Sequence, residues 1–247
     1  NGIDVQELCK VFHYQPEISC REILFIGELE NTKGAEYLIK AFRMLLQNDI
    51  NAHLTLVGDG NIHQYLSLCD GIWDKITFTG KINNKQLLRL FRKTTIAVQP
   101  SFNEQCCYTA IEIMGHGIPL IATDTTGLRE MMEYTPEYMI KIKEVDFNDE
   151  EFIKELSDKM RSLLNNTDSR KKVSEKQMYM LRERYTFEQM RKSMSKICST
   201  VTSQVSLSNT FYPHLDSKMI NLINAYMDIE EDFKGLAGIG CYMWHRI

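Results

Sequence analysis

"ITFTGKINNKQLLRLFRKTTIAVQP", residues 76–100, sets two short β-branched and aromatic runs on either side of a helical period. "ITFTG" (76–80) and "TIAVQP" (95–100) end on Gly and Pro, the punctuation of strands. Between them "NKQLLRLFRK" opens on Asn83 or Asn84, and either side chain can accept the first free N–H groups of a helix. Strand, helix, strand at this spacing is a βαβ unit, with a right-handed crossover and parallel strands.

The same alternation continues outward. "ILFIG" (23–27) and "HLTLVG" (53–58) precede it, and "IPLIAT" (118–123) and "YMIKI" (138–142) follow. Between the first two, "GAEYLIKAFRMLLQ" places Leu38, Ala41, Phe42 and Leu45 on one helical face. Repeated βαβ units build a mostly parallel sheet covered on both sides, so the expected fold class is α/β: a doubly wound parallel sheet, Rossmann-like, followed by C-terminal helices. Strands stop after residue 148. "DEEFIKELSDKMRSLLNN", "DSRKKVSEKQMYMLRERY" and "TFEQMRKSMSKIC" read as three consecutive helices with Asp149, Asp168 and Thr186 as caps. Residues 201–210 turn to Ser, Thr and Asn and read as a linker, and "DSKMINLINAYMDIEEDF" beyond it is an amphipathic helix candidate. The expected organisation is a junction segment over 1–21, a binding domain over 22–200, and a linker with a helical tail of unassigned role over 201–247.

The chain has 247 residues, 43% of them apolar, enough for a packed core. No run approaches the roughly 18 uncharged apolar residues of a membrane helix. The opening "NGIDVQELCK" lacks the apolar centre of a secretory signal. A cytoplasmic location is expected, free or peripheral to the inner face of a membrane. The chain starts without Met on a turn-like "NGID", as a processed product or a piece of something longer would. Seven cysteines, at 9, 20, 69, 106, 107, 198 and 241, are odd in number and scattered, which points to reduced thiols and neither zinc nor a disulfide framework. The six histidines lack ligand spacing: His53 and His63 read as structural, and His13, His116, His214 and His245 take no role.

Net charge is −4, unevenly spread. Residues 1–150 carry 14 Lys and Arg against 21 Asp and Glu, while 151–200 carry 12 against 7. A general nucleic-acid binder shows a concentrated basic footprint, so nucleic acid is not an expected partner. The 151–200 stretch reads as a solvated helical face, with contact to acidic lipid or a protein as the alternative.

The chemistry concentrates in "PSFNEQCCYTAIEIMGHGIPLIAT", residues 100–123. In an open parallel sheet ligands sit beyond the carboxyl ends of the strands, where loops enter helices, and residues 100–106 occupy that position. A helix beginning near Cys106 would bury Cys107, Ala110, Ile111 and Met114, leave Glu104 in the preceding loop, and set Glu112 about 100° around from Ile111. Gly117 after His116, and then Pro119, would end it. The two glutamates could merely satisfy the helix's positive end. Alternatively, an ionised carboxylate accepts two hydroxyl donors at once, which suits a ribose diol or a sugar ring, while N–H groups of residues 105–107 face a diphosphate.

Taken in order, "NGID", "FIGELENTKG", "LTLVGDGN", "ITFTGKI", "IAVQPSFNEQCCYTAIEIMGHGIPLIATDTTGLREMM" and "YTFEQM" resemble the C-terminal, donor-binding half of a GT-B glycosyltransferase of family 4, the group 1 glycosyl transferases. The resemblance covers residues 22–200, and the E-x7-E spacing from Glu104 to Glu112 is its most specific element. It implies that Glu104 is the catalytic-site acid facing the donor sugar and that Glu112 faces the nucleotide ribose. Lys33 would meet the diphosphate, with an exposed lysine ahead of a helix as the plain alternative. The backbone at Lys81 and Ile82 would hold the base, and that of Gln105, Cys106 and Cys107 the phosphates. Gly27 and Gly58 would allow close approach, or simply make turns. The resemblance further implies a nucleotide-sugar donor, sugar transfer with retention, no bound metal or other cofactor, and an acceptor-binding N-terminal half ahead of the "NGID" junction.

Three positions depart from the family pattern. Glu28 stands where Arg is usual, and Gln105 and Cys107 stand where small residues are usual. The vicinal Cys106 and Cys107 read as packing residues. A second functional reading is a non-catalytic nucleotide or nucleotide-sugar binding module. A dinucleotide dehydrogenase is disfavoured, because the first strand leads into "GELENTKG" and not G-x-G-x-x-G.

Overall fold

A computed structural model of the protein describes residues 21–142 and 148–205, with side chains through Ser199. The expected junction before Arg21 and the tail beyond Val205, with its helix candidate, its cysteine and its histidines, lie outside the described residues.

Among the described residues six strands form one sheet: β1 (Arg21–Ile26), β2 (Ala52–Val57), β3 (Ile76–Gly80), β4 (Thr94–Gln99), β5 (Leu120–Thr123) and β6 (Met139–Ile140). Every pairing is parallel and the order is β3-β2-β1-β4-β5-β6. The helices are α1 (Ala35–Leu46), α2 (Asn84–Phe91), α3 (Tyr108–Gly115), α4 (Thr126–Met131), α5 (Asp149–Asn165), α6 (Thr167–Arg184) and α7 (Phe187–Val205).

Period-two alternation along the strands separates two cores. Ile23, Phe25, Leu54, Leu56, Ile96 and Val98 face one side, where α1 adds Leu38, Phe42 and Leu45 and α5 adds Phe152, Leu156 and Met160. Leu24, Val57, Ala97, Leu120 and Ala122 face the other, closed by Phe91 of α2, Ile111 and Met114 of α3, Leu128 of α4 and Met180 of α6. All six residues of β4 are buried, as a strand covered on both faces requires. Each such aliphatic side chain removed from water contributes about 1.5–3 kcal/mol. Gln177 of α6 is buried and locks onto β5, accepting from the Leu120 N–H and donating to the Leu120 carbonyl, both at 3.0 Å.

The helix ends follow local chemistry. Asn83 caps α2 in a reciprocal box with Gln86. α3 closes through Gly117, in the left-handed region, whose N–H donates to the Met114 carbonyl while that of Ile118 donates to Ile113. Three expectations are corrected. Asn148 and Asn166, not Asp149 and Asp168, cap α5 and α6, since their amide oxygens take the free N–H groups. The two aspartates sit in the first turns instead, where a negative charge meets the helix dipole favourably. Third, α7 runs to Val205, so the first residues read as linker are helical. Thr186 does cap α7, accepting from Gln189 N–H. Lys192 closes one compact unit of the chain and Ser193 opens a second.

Two short 3-10 helices between β2 and β3, Ile62–Cys69 and Trp73–Lys75, complete the connection and bury Tyr65 and Cys69. His63 falls in the first of these, and His53 lies in β2, its Nε2 paired with the Thr77 hydroxyl at 2.8 Å. Among the described residues no helix is long and apolar enough to cross a membrane.

Candidate functional site

With β1 beside β4, the winding of the sheet reverses between these two strands, and the loops leaving their carboxyl ends diverge to opposite faces. The loops that diverge there are tied together by several contacts. Gln99, buried at the end of β4, donates through Nε2 to the Ile26 carbonyl at the end of β1 (2.8 Å). Phe102 N–H donates to the Thr32 carbonyl at 2.8 Å. Gly34, with φ +71°, presses against the Pro100 carbonyl so closely that a Cβ there would lie 2.1 Å from its oxygen.

This seam brings two of the expected site residues together. Lys33 Nζ and Glu104 Oε2 are 2.8 Å apart, with side chains 28% and 14% exposed. Partial loss of hydration would lower the Lys33 ammonium pKa. The Glu104 hydrogen bond and charge, with a smaller contribution from Glu28, outweigh it and hold the pKa above the ordinary lysine value. Glu28 itself is exposed to solvent. At the neighbouring strand ends, Gly58 has φ +148° and a Cβ there would fall 1.8 Å from the Gly27 carbonyl oxygen, so only glycine fits. Gly27 carries no such requirement: its added Cβ would meet only the Phe25 ring, at 3.2 Å.

Glu104 stays in the loop, as expected, and α3 begins at Tyr108, two residues beyond Cys106. Cys107 occupies the capping position, and burial, partly offset by a hydrogen bond from the Ala110 N–H, pushes its thiol up to about 11. Cys107, Ala110, Ile111 and Met114 are buried, as the helical spacing requires. Cys106 is half-buried and Gln105 exposed. Among the described residues, the N–H groups of Gln105 and Cys107 donate to no acceptor.

Glu112 lies mid-helix in α3, with its side chain exposed and no ion pair among the described residues. The protein surface crowding it strips enough hydration to raise its carboxyl pKa. Among the described residues Lys33 is paired with Glu104, and Glu112 forms an ion pair with neither. Lys81 is exposed and Ile82 half-buried just beyond β3, with Ile82 packed against the second core.

Sequence reasoning missed Gly127 at the start of α4. Its N–H donates to the Glu104 carbonyl at 3.0 Å, and a Cβ on it would lie 2.1 Å from the Gln105 carbonyl oxygen. The "DTTG" turn was its only local signal. It also missed two buried hydroxyls on the same loops, Ser101 and Thr125, at 1% and 6% exposure, which find no partner among the described residues. A groove of about 510 Å³ lined by Glu137, Tyr138, Glu155 and Asp158 lies elsewhere, at the amino end of β6. Among the described residues no three His, Cys, Asp or Glu side chains converge on a metal position.

The strand order is that of a doubly wound parallel α/β sheet, and residues 19–178 match the family described as "Glycosyl transferases group 1". The chain belongs to the group 1 glycosyltransferases. Within this glycosyltransferase family, it is 36% identical over 115 residues to an uncharacterized glycosyltransferase of Methanocaldococcus jannaschii, covering 45% of this chain and 29% of that protein. It is 30% identical over 114 residues to the D-inositol 3-phosphate glycosyltransferase of Paenarthrobacter aurescens, covering 43% and 28%. The aligned part thus spans under a third of the length of these curated relatives. Among solved structures, a mutant of TarM from S. aureus, in complex with fondaparinux, α-GlcNAc-glycerol and UDP, superposes with a TM-score of 0.64 at 18% identity, covering 79% of this chain and 38% of that one. That likeness shows a shared GT-B-type fold.

Proposed function

We propose that this chain is the donor-binding, C-terminal half of a retaining family 4 glycosyltransferase, working with an N-terminal half that binds the acceptor. The observation that carries the reading is the Lys33–Glu104 pair at the point where the sheet's winding reverses. A cation and a carboxylate placed side by side there offer complementary contacts to a nucleotide-sugar: the ammonium to its diphosphate, the carboxylate to hydroxyls of its sugar. Gln105 and Cys107 add backbone N–H donors. In the transfer step the bond between the anomeric carbon and the diphosphate oxygen breaks as the acceptor oxygen bonds that carbon, and the proton of the acceptor hydroxyl passes to the departing diphosphate oxygen. Negative charge grows on the departing oxygen, where Lys33 and the backbone donors stabilise it without requiring a metal. Glu112 takes the ribose diol, the backbone of Lys81 and Ile82 takes the base, and Gly27 and Gly58 leave room at the strand ends.

Thermal melts with UDP, GDP and ADP test this reading. A nucleoside diphosphate at a hundredfold excess over its Kd adds about 2.7 kcal/mol to the folded state. In a domain of this size that is roughly 5–10 °C. Glu112→Ala should abolish the shift while the ligand-free melting temperature stays close to wild type; an unchanged shift contradicts the assignment. Glu28, an acid within electrostatic reach of Lys33, favours a second reading as a non-catalytic binding module. Binding without sugar transfer by the full-length protein would select it.

A further inference from the structure

No acidic residue occurs between Asp74 and Glu104, yet this stretch carries Lys75, Lys81, Lys85, Arg89, Arg92 and Lys93. In a chain of net charge −4 that is a local reversal of sign. α2 lies at its centre. Lys85, Arg89 and Arg92 recur at i, i+4 and i+7 and so share one face of the helix, and all three are exposed, as is Lys81 in the loop just before. None of these four makes an ion pair among the described residues. Lys93 is different, since its charge reaches Glu22.

The stability of α2 does not explain this arrangement. Arg89 and Arg92 sit near the helix's negative end, where a cation is welcome, but Lys85 is in the first turn, against the dipole. Like charges four apart also repel. The helix is already anchored by its capping box and by Leu87, Leu90 and Phe91 packed on the second core. What remains is an outward face of unpaired cations bordered by one exposed apolar side chain, Leu88, 37% exposed.

We infer that this face docks on a membrane surface carrying anionic lipid headgroups. Cations interleaved with an outward leucine match the interfacial pattern, in which charge draws the protein to the headgroups and the apolar group enters the boundary. A single-stranded nucleic acid is a poorer occupant: it requires exposed aromatic rings to stack its bases, and the only aromatic residue of 81–93, Phe91, is 2% exposed. The inference is independent of the sugar-transfer reading. If both hold, docking through α2 sets Lys81 and the adjoining carboxyl end of β3 beside the lipid surface.

The test is co-sedimentation of the whole 247-residue chain with vesicles of phosphatidylcholine alone and of phosphatidylcholine with 30% phosphatidylglycerol. The wild type should partition onto the anionic vesicles only, with binding falling steeply as salt is raised. Each Lys or Arg near such a surface contributes about a factor of five in partition, so Lys85→Gln, Arg89→Gln and Arg92→Gln together should cost about a hundredfold. Leu88→Ser alone should weaken binding several-fold without altering its salt dependence. Both variants remain testable because all four positions face solvent and the melting temperature reports folding directly. Wild-type partition retained by a folded triple variant would overturn the inference. So would equal binding to neutral vesicles, or binding to heparin or DNA with no partition onto vesicles.

Discussion

Replacing Gly34 with alanine tests the seam that joins the two site loops. Gly34 lies at φ +71°, and its added Cβ would sit 2.1 Å from the Pro100 carbonyl oxygen. Gly71, at φ +79°, has a similar backbone but nothing within 4 Å of an added Cβ. Both substitutions pay about 1–2 kcal/mol for placing an L-residue in the left-handed region. Gly34→Ala must also part the loops by about an ångström, an overpacking cost of roughly 1–3 kcal/mol. The expected losses are therefore about 2–5 kcal/mol for Gly34→Ala and about 1–2 kcal/mol for Gly71→Ala. In melting temperature these become roughly 4–20 °C against 2–8 °C. Equilibrium denaturation of the two variants side by side isolates the steric part. Because Lys33 is the next residue, Gly34→Ala should also lose its response to a nucleoside diphosphate, which Gly71→Ala should keep. Equal destabilisation of the two, or an intact ligand response in Gly34→Ala, would refute the claim that this close approach holds Lys33 against Glu104.

Two further outcomes follow from shifted ionisation. With its thiol at about 11, Cys107 should carry thiolate in only about one molecule in a thousand at pH 8, so alkylation mapped by mass spectrometry should label the half-buried Cys106 well before it. Glu112 has a folded-state pKa above its unfolded value, so its charged form costs stability at neutral pH, and that cost disappears as pH falls through the folded pKa toward 4.5. Glu112→Gln should accordingly be more stable than wild type at pH 7, with the two converging in acid. Denaturation curves across pH 3–8 check this, and an advantage that persists at pH 3 would show that its origin is not ionisation.

Much of the architecture was legible because it is written in local periodicity. The β-branched runs alternate with helical ones, and the Asn83 to Gln86 box and the Gly117 stop are complete within a few residues. The caps of α5 and α6 were misplaced by one and two residues because Asn and Asp compete for the same role side by side at 148–149 and 166–168. The site was legible as a set of residues but not as a geometry. Lys33 and Glu104 lie 71 positions apart, and Gln99 and Ile26 lie 73 apart, so only the sheet order brings them together. Gly127 was invisible for the same reason: what demands a missing side chain there is the carbonyl of Gln105, supplied by a distant loop.

The tightest approaches around the candidate site, at Gly34, Gly58 and Gly127, are all made to main-chain carbonyl oxygens. The spacing of the seam between these loops is thus set by backbone on both walls, and the residue type on the carbonyl side is free to drift. Gln105 can carry a long side chain here, because it contributes its peptide oxygen to the fit and its side chain is exposed. Selection on the lining should therefore fall unequally on the two walls, strict at the three glycines and lenient opposite them.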